Sequence, residues 1–272
     1  MCNNNTEINH FSGGDCITLS KTTCYNDFSY KPLNILSPMK VASLPYAYPC
    51  DNYLEAVLSI NPVKKKLKEL LSNYYKSQNI SFSNIGYKAE AVSFPKLHSI
   101  LSDCSQTLEV KNIPDVFISD KLKGINAIAL QIDNDSAILI SPKSLFQLSD
   151  NELKFMLGHE LSHLTQGNLL CHTANGILSN VKKKYEFIGS IVSDLIEIPL
   201  KEWCRANEYT ADRAGYLCCN DIASVVSLFK KIGRDNSKTG YYSYTEIYKD
   251  HPYIQSRIDR IKEFAKSIII KR

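Results

Sequence analysis

The stretch "FMLGHELSHLTQGN", residues 155–168, places histidines at 159 and 163 with Glu160 directly after the first. On a helix, side chains four apart stand about one turn above each other on one face, so the two imidazoles can converge on a single cation. Glu160, one step round, is turned toward the position beside that cation. This is the logic of H-E-x-x-H, in which one rigid element supplies two ligands and a general base. A chain with this histidine and glutamate content meets the pattern by chance only roughly 0.006 times, so coincidence is a poor account of it. The surroundings read as a helix. Ser149 and Glu152 form an S-x-x-E capping box, Leu153, Met156, Leu157, Leu161 and Leu164 supply an apolar face, and Gly167 marks the stop.

A catalytic zinc takes three protein ligands and keeps a fourth position open, so a third ligand must come from elsewhere in the chain. The best candidate is Glu208 in "RANEYTADRAGYL", residues 205–217, where Glu208, Ala211, Asp212 and Gly215 share one helical face. The small residues on that face permit close packing against the first helix. Two carboxylates on such a face are costly to bury unless each meets a cation or a donor. Glu208 on zinc, and Asp212 accepting the outer N–H of a ligating histidine, would satisfy both. The alternative leaves them in solvent, paired with Arg205 or Arg213.

Working outward, short β-like runs precede the motif: "DVFIS" (115–119), "NAIALQI" (126–132) and "SAILIS" (136–141), the last two separated by "DND" as in a hairpin. Helical periodicity covers residues 61–78, with Val63, Leu67, Leu70, Leu71 and Tyr74 on one stripe, and 95–108, with Leu97, Ile100, Leu101 and Cys104 inward. Further helices are expected over 183–198, 200–219, 221–233 and 252–268. The fold class is therefore α+β, mainly α, with a small sheet beside the motif helix. Residues 1–45, rich in Asn, Ser and Thr and carrying Pro32, Pro38 and Pro45, read as an irregular arm or pro-like segment ahead of a domain over 46–272.

Composition excludes several classes. With 272 residues, 44% hydrophobic and 22% charged, the chain can bury a sizeable core. Its net charge of +4 is spread out, and the basic runs at 64–66 and 182–184 lack the interleaved aromatics of a nucleic-acid surface. No membrane span is expected, because the most apolar long window, residues 187–200, is broken by Asp194, Glu197 and Pro199 and falls short of the ~20 residues a bilayer requires. The first residues show neither the basic nor the apolar region of a secretory signal. Nine scattered cysteines follow no zinc or disulfide spacing, which fits reduced thiols in a cytoplasmic protein.

Three ordered motifs, "GHELSHLTQGN", "NEYTADRAG" and "DHPYIQSRI", together resemble the zinc metallopeptidase family of HtpX and the CAAX prenyl endopeptidases, which are gluzincins. The resemblance covers about residues 46–263, including "LPYAYPCDNYLEAV" at its start and the "NAIAL" strand. It implies a zincin-like domain with one Zn2+ per chain, held by His159, His163 and Glu208. It also implies that Asp212 supports a ligand, and that His251 and Arg257 face the site to stabilise an oxyanion or order the substrate. Ser162 stands where that family usually has glycine, one small residue for another. Without transmembrane helices the chain would be a soluble member. The implied activity is a metalloendopeptidase that cleaves peptides or unfolded and precursor proteins, with Glu160 taking a proton from the attacking water. "NAIALQI" then reads either as an edge strand to which an extended peptide adds or as an ordinary core strand. A competing class is a zinc-containing chaperone-like or peptide-binding module without turnover. Glu160 argues against it, since a structural zinc site closes its fourth position and needs no base.

Overall fold

The computed structural model describes residues 44–49, 65, 69, 73, 81, 84–132, 135–165, 186–238 and 254–270. The chain divides into two units, Met1–Ser37 and Pro38–Arg272, and the first lies outside the described residues. In the second, strand β1 (Tyr87–Lys88) leads to helix α1 (Pro95–Thr107), followed by β2 (Asp115–Ile118), β3 (Ala127–Ile132) and β4 (Asp135–Ile140). Then come α2 (Pro142–Gln147), α3 (Asp150–Thr165), α4 (Glu186–Cys219), α5 (Ile222–Lys238) and α6 (Ile254–Ile270). Mainly helical with one small mixed sheet, this is the expected α+β class.

The sheet runs β1-β2-β4-β3, with β2 and β4 parallel and the other pairs antiparallel. The expected hairpin is the β3–β4 pair, in which Ile132 stands opposite Asp135. Alternation along central β4 divides the interior: Ile138 and Ile140 enter the helical core, while Ala137 and Leu139 join Ile85, Phe117 and Leu130 on the opposite face. Strand order puts β3 at one edge of the sheet, next to β4 alone.

The helices bury the stripes that their periodicity predicts. In α1 these are Leu97, Ile100, Leu101 and Cys104; in α5 they are Val225, Leu228, Phe229 and Ile232; in α6 they are Ile258, Ile261 and Ala265. Helix α3 is enclosed almost all round, with every residue from 155 to 163 buried. Its N-terminus is capped as read: Ser149 N–H donates to Glu152 Oε2 at 2.7 Å, and Glu152 N–H to Ser149 Oγ at 3.4 Å. One expectation is corrected. The separate helices expected over 183–198 and 200–219 are a single 34-residue helix that continues through Pro199. A proline removes one intrahelical bond and crowds the carbonyl four residues back, a local cost of about 3 kcal/mol that the turns on either side absorb without ending the helix. Of the helix expected over 61–78, the described Lys65, Glu69 and Asn73 are helical and exposed; its apolar stripe lies outside the described residues.

Candidate metal centre

Two glycines set how closely the site-bearing helices approach. A Cβ on Gly215 of α4 would stand 2.6 Å from the Phe155 carbonyl oxygen of α3. One on Gly158 would stand 2.6 Å from Cys218 Sγ and 3.1 Å from Gly215 Cα. Neither position tolerates a side chain without displacement, so the backbones nearly touch one residue before His159 and one turn beyond Asp212.

That approach brings His159, His163 and Glu208 together, with one ligand atom from each lying within 4.8 Å of the others. The two Nε2 atoms face each other at 3.1 Å, and Glu208 oxygens lie 3.5 Å from His159 Nε2 and 3.3 Å from His163 Nε2. All three residues are buried, Glu208 completely. On the far side of the ring, His159 Nδ1–H donates to Asp212 Oδ1 at 3.1 Å, which leaves Nε2 with its lone pair toward the cluster. Arg257, from the first turn of α6, donates to both Asp212 oxygens, Nε at 2.8 Å and Nη2 at 2.5 Å, and its guanidinium lies 4.7 Å over the Phe229 ring. Glu160 is buried beside the histidines, and its Oε2 accepts the N–H of Ala129 on β3 at 2.8 Å.

The electrostatics follow from burial and neighbours. Burial raises the Glu160 carboxyl above the ordinary carboxylate range, and the histidines and the Ala129 N–H offset only part of this. Burial pushes His163 down, with Glu208 opposing it. Burial would lower His159 as well, yet its bond to Asp212 and the charges of Glu208 and Asp212 outweigh that and leave it raised. Burial would raise Asp212, but the Arg257 guanidinium holds it below its usual value.

The donor set suits a cation. Two imidazole nitrogens and a carboxylate converge from two helices, and the Arg257 guanidinium reaches both buried carboxylates, Glu208 and Asp212. The solvent-paired alternative for Glu208 and Asp212 does not hold: both are fully buried, Asp212 pairs with Arg257, and Arg213 points elsewhere. His251 lies outside the described residues. Cys204 is buried and forms no disulfide. Sequence reading did not anticipate two contributors. Phe229 beneath Arg257 depends on how α5 packs on α6. The Ala129 contact is borne by the backbone, so no side chain advertises it. Among the described residues, no helix is long and apolar enough to cross a membrane.

Residues 91–265, more than half of the chain, match the model of Peptidase family M48. The chain is 26% identical over 190 residues to the plastoglobule-localized metallopeptidase 48, chloroplastic, of Arabidopsis thaliana, covering 69% of this chain and 55% of the relative. It is 22% identical over 206 residues to a protease HtpX homolog of Helicobacter pylori strain J99, covering 62% of this chain and 66% of that protein. A protease HtpX homolog of Helicobacter acinonychis matches over 208 residues, also at 22% identity, covering 62% and 67% respectively. The chain thus spans about half to two thirds of the length of these curated relatives. It belongs to Peptidase family M48.

Proposed function

We propose that this M48 peptidase is a zinc-dependent metalloendopeptidase acting on peptides or on unfolded and precursor proteins, with one Zn2+ held by His159, His163 and Glu208. The observation that carries the reading is the convergence of those three buried side chains within 4.8 Å beside Glu160. Two imidazoles and one carboxylate make the three-ligand set of a catalytic site rather than the closed set of a structural one. When bound, zinc supplies Lewis acidity, which lowers the pKa of a water at the open position to about 7 and polarises a carbonyl.

The chain's own residues do the rest. Asp212 fixes the tautomer and orientation of His159, and Arg257 fixes Asp212. Glu160, its carboxyl raised by burial, accepts the proton of the attacking water and returns it to the leaving amine. His251, following the family resemblance, donates to the oxyanion. The outer edge of β3 is the substrate rail. Ala129 directs its N–H away from β4 and onto Glu160, so residues 127, 129 and 131 face outward, and their backbone groups other than that N–H form the row along which an extended peptide would pair. Residues 46–272 form the peptidase domain and 1–45 an arm ahead of it. Cytoplasmic residence is supported by the free thiols of Cys104, Cys204, Cys218 and Cys219.

Replacing Glu160 by Gln is the test. Turnover of a peptide substrate falls by about 10²–10⁴-fold while zinc content stays at one per chain. Undiminished cleavage by this variant would sink the reading.

A further inference from the structure

Residues 44–49 lie outside the stretch that matches the family model, yet they touch all three helices that build the centre. Tyr46 is buried in the main core, and its hydroxyl faces Ser162 and Thr165 on α3. Tyr48 N–H donates to Thr210 Oγ1 of α4 at 2.9 Å, and the Tyr48 ring packs on Tyr209 with centroids 4.9 Å apart. Arg213 of α4 closes the arrangement. Its Nη1 donates to the Ala47 carbonyl at 2.8 Å and the Tyr46 carbonyl at 3.5 Å, and its guanidinium lies 4.8 Å from the ring centroids of both Tyr48 and Phe264 of α6. A half-buried cation between two aromatic faces is held by their quadrupoles as well as by its hydrogen bonds.

The anchor positions are adjacent to the centre. Ser162 precedes His163, Tyr209 follows Glu208, and Arg213 follows Asp212. A cluster split between α3 and α4 is only as well defined as the packing of those helices on each other. The Gly158–Gly215 approach lies before His159 on α3 and beyond Glu208 on α4. Residues 44–49 join the helices at a second level, alongside the ligands, at 162 and 165 of α3 and at 209, 210 and 213 of α4.

We infer that residues 44–49 are a positioning strap for the His159, His163 and Glu208 cluster, with Tyr46, Tyr48 and Arg213 as its positioning residues. The inference rests on the zinc reading for one of its two measurements, and the other is free of metal. The full-length chain is compared with Arg213→Ala, with the conservative Arg213→Lys, and with Tyr48→Ala, which removes less core should Arg213→Ala fail to fold. Zinc affinity is measured by competition with a chelator. It weakens about tenfold in Arg213→Ala and Tyr48→Ala, the low end of the range for residues that support ligands, and recovers in part in Arg213→Lys. In parallel kcat falls while KM holds. Variants that lose thermal stability but keep wild-type zinc affinity and kcat would overturn the inference, because the strap would then be ordinary packing. Hydrogen exchange on the metal-free chains gives the second measurement. Faster exchange in both 155–165 and 205–215 supports the strap, and a change confined to 44–49 overturns it. A wild-type chain without zinc affinity would refute the zinc reading alone, leaving exchange to decide on the strap.

Discussion

Two buried glutamates flank the same helix crossing, and the chain treats them differently. Glu152, at the N-terminus of α3, is 2% exposed and is given a cation of its own: Lys231 Nζ of α5 reaches its Oε2 at 2.6 Å, beside the Ser149 N–H at 2.7 Å. Glu208, on α4, is fully buried, with imidazole nitrogens 3.3 and 3.5 Å away. The nearest guanidinium, Arg257, is 3.8 Å from Glu208 and makes its two short bonds to Asp212 instead. Burying a carboxylate is expensive in either place. At one end the partner is a lysine; at the other the carboxylate stands among two imidazoles and an arginine that also serves Asp212. The first arrangement is that of an ordinary buried ion pair, and the second is the donor set on which the metal proposal rests.

The sharpest way to break this contrast is to remove Glu208. The stability of metal-free Glu208→Ala is the reference against which the effect of zinc is read. In the presence of zinc the variant loses what binding contributes, about 4 kcal/mol when the ion stands at a thousand times its Kd. Thermal melts with and without zinc check this, and a variant that keeps the full zinc-induced shift breaks the contrast. Asp212→Asn comes next. It preserves shape but gives up the charge that orients His159 and pairs with Arg257, so zinc affinity falls by about 10–100-fold, or roughly 1.4–2.8 kcal/mol. Chelator competition reads that directly, and unchanged affinity would remove Asp212 from the site. Lys231→Met, at the other end, costs about 1–2 kcal/mol, held down because the lysine is 36% exposed and solvent screens the pair. Its signature is independence from zinc; a loss seen only in the zinc-loaded protein would merge the two ends into one system.

Which of these features could be read in advance follows from how each contact is encoded. The histidines at 159 and 163, Glu160 and the capping box are spaced within one helix, so the period of that helix places them. Glu208 with Asp212 was legible because two carboxylates one turn apart among small residues carry a burial cost that demands an explanation. The family resemblance has Arg257 facing the site to stabilise an oxyanion or order the substrate, and in the structure it is bidentate on Asp212, a partner 45 residues away that depends on how α6 docks. The strap was the least legible. Its contacts reach 162 to 167 residues along the chain, through backbone carbonyls and one hydroxyl, and a six-residue non-repetitive segment has no periodicity to announce a buried face. Pro199 misled for the opposite reason, since its local rule is strong but the helix around it is long.

The smallest effect separates the two glutamates by proton linkage. Burial would raise the Glu152 carboxyl, yet Lys231 and the Ser149 N–H outweigh it and hold the pKa below its ordinary value. Between the folded and unfolded pKa values, the unfolded chain therefore binds more protons at this site. The stability it contributes is complete above the unfolded value, about 4.3, and drains away as pH falls through the lower folded value, at no more than about 1.4 kcal/mol per pH unit. Urea midpoints between about pH 3 and 6, measured with chelator so that the histidine cluster titrates without metal in both proteins, compare wild type with Glu152→Gln. Wild type shows the steeper acid limb, and the variant, which cannot titrate at 152, shows a shallower one. Parallel limbs would mean that Lys231 does not hold Glu152 charged, and the contrast between a lysine-paired glutamate and one set among imidazoles would lose its first half.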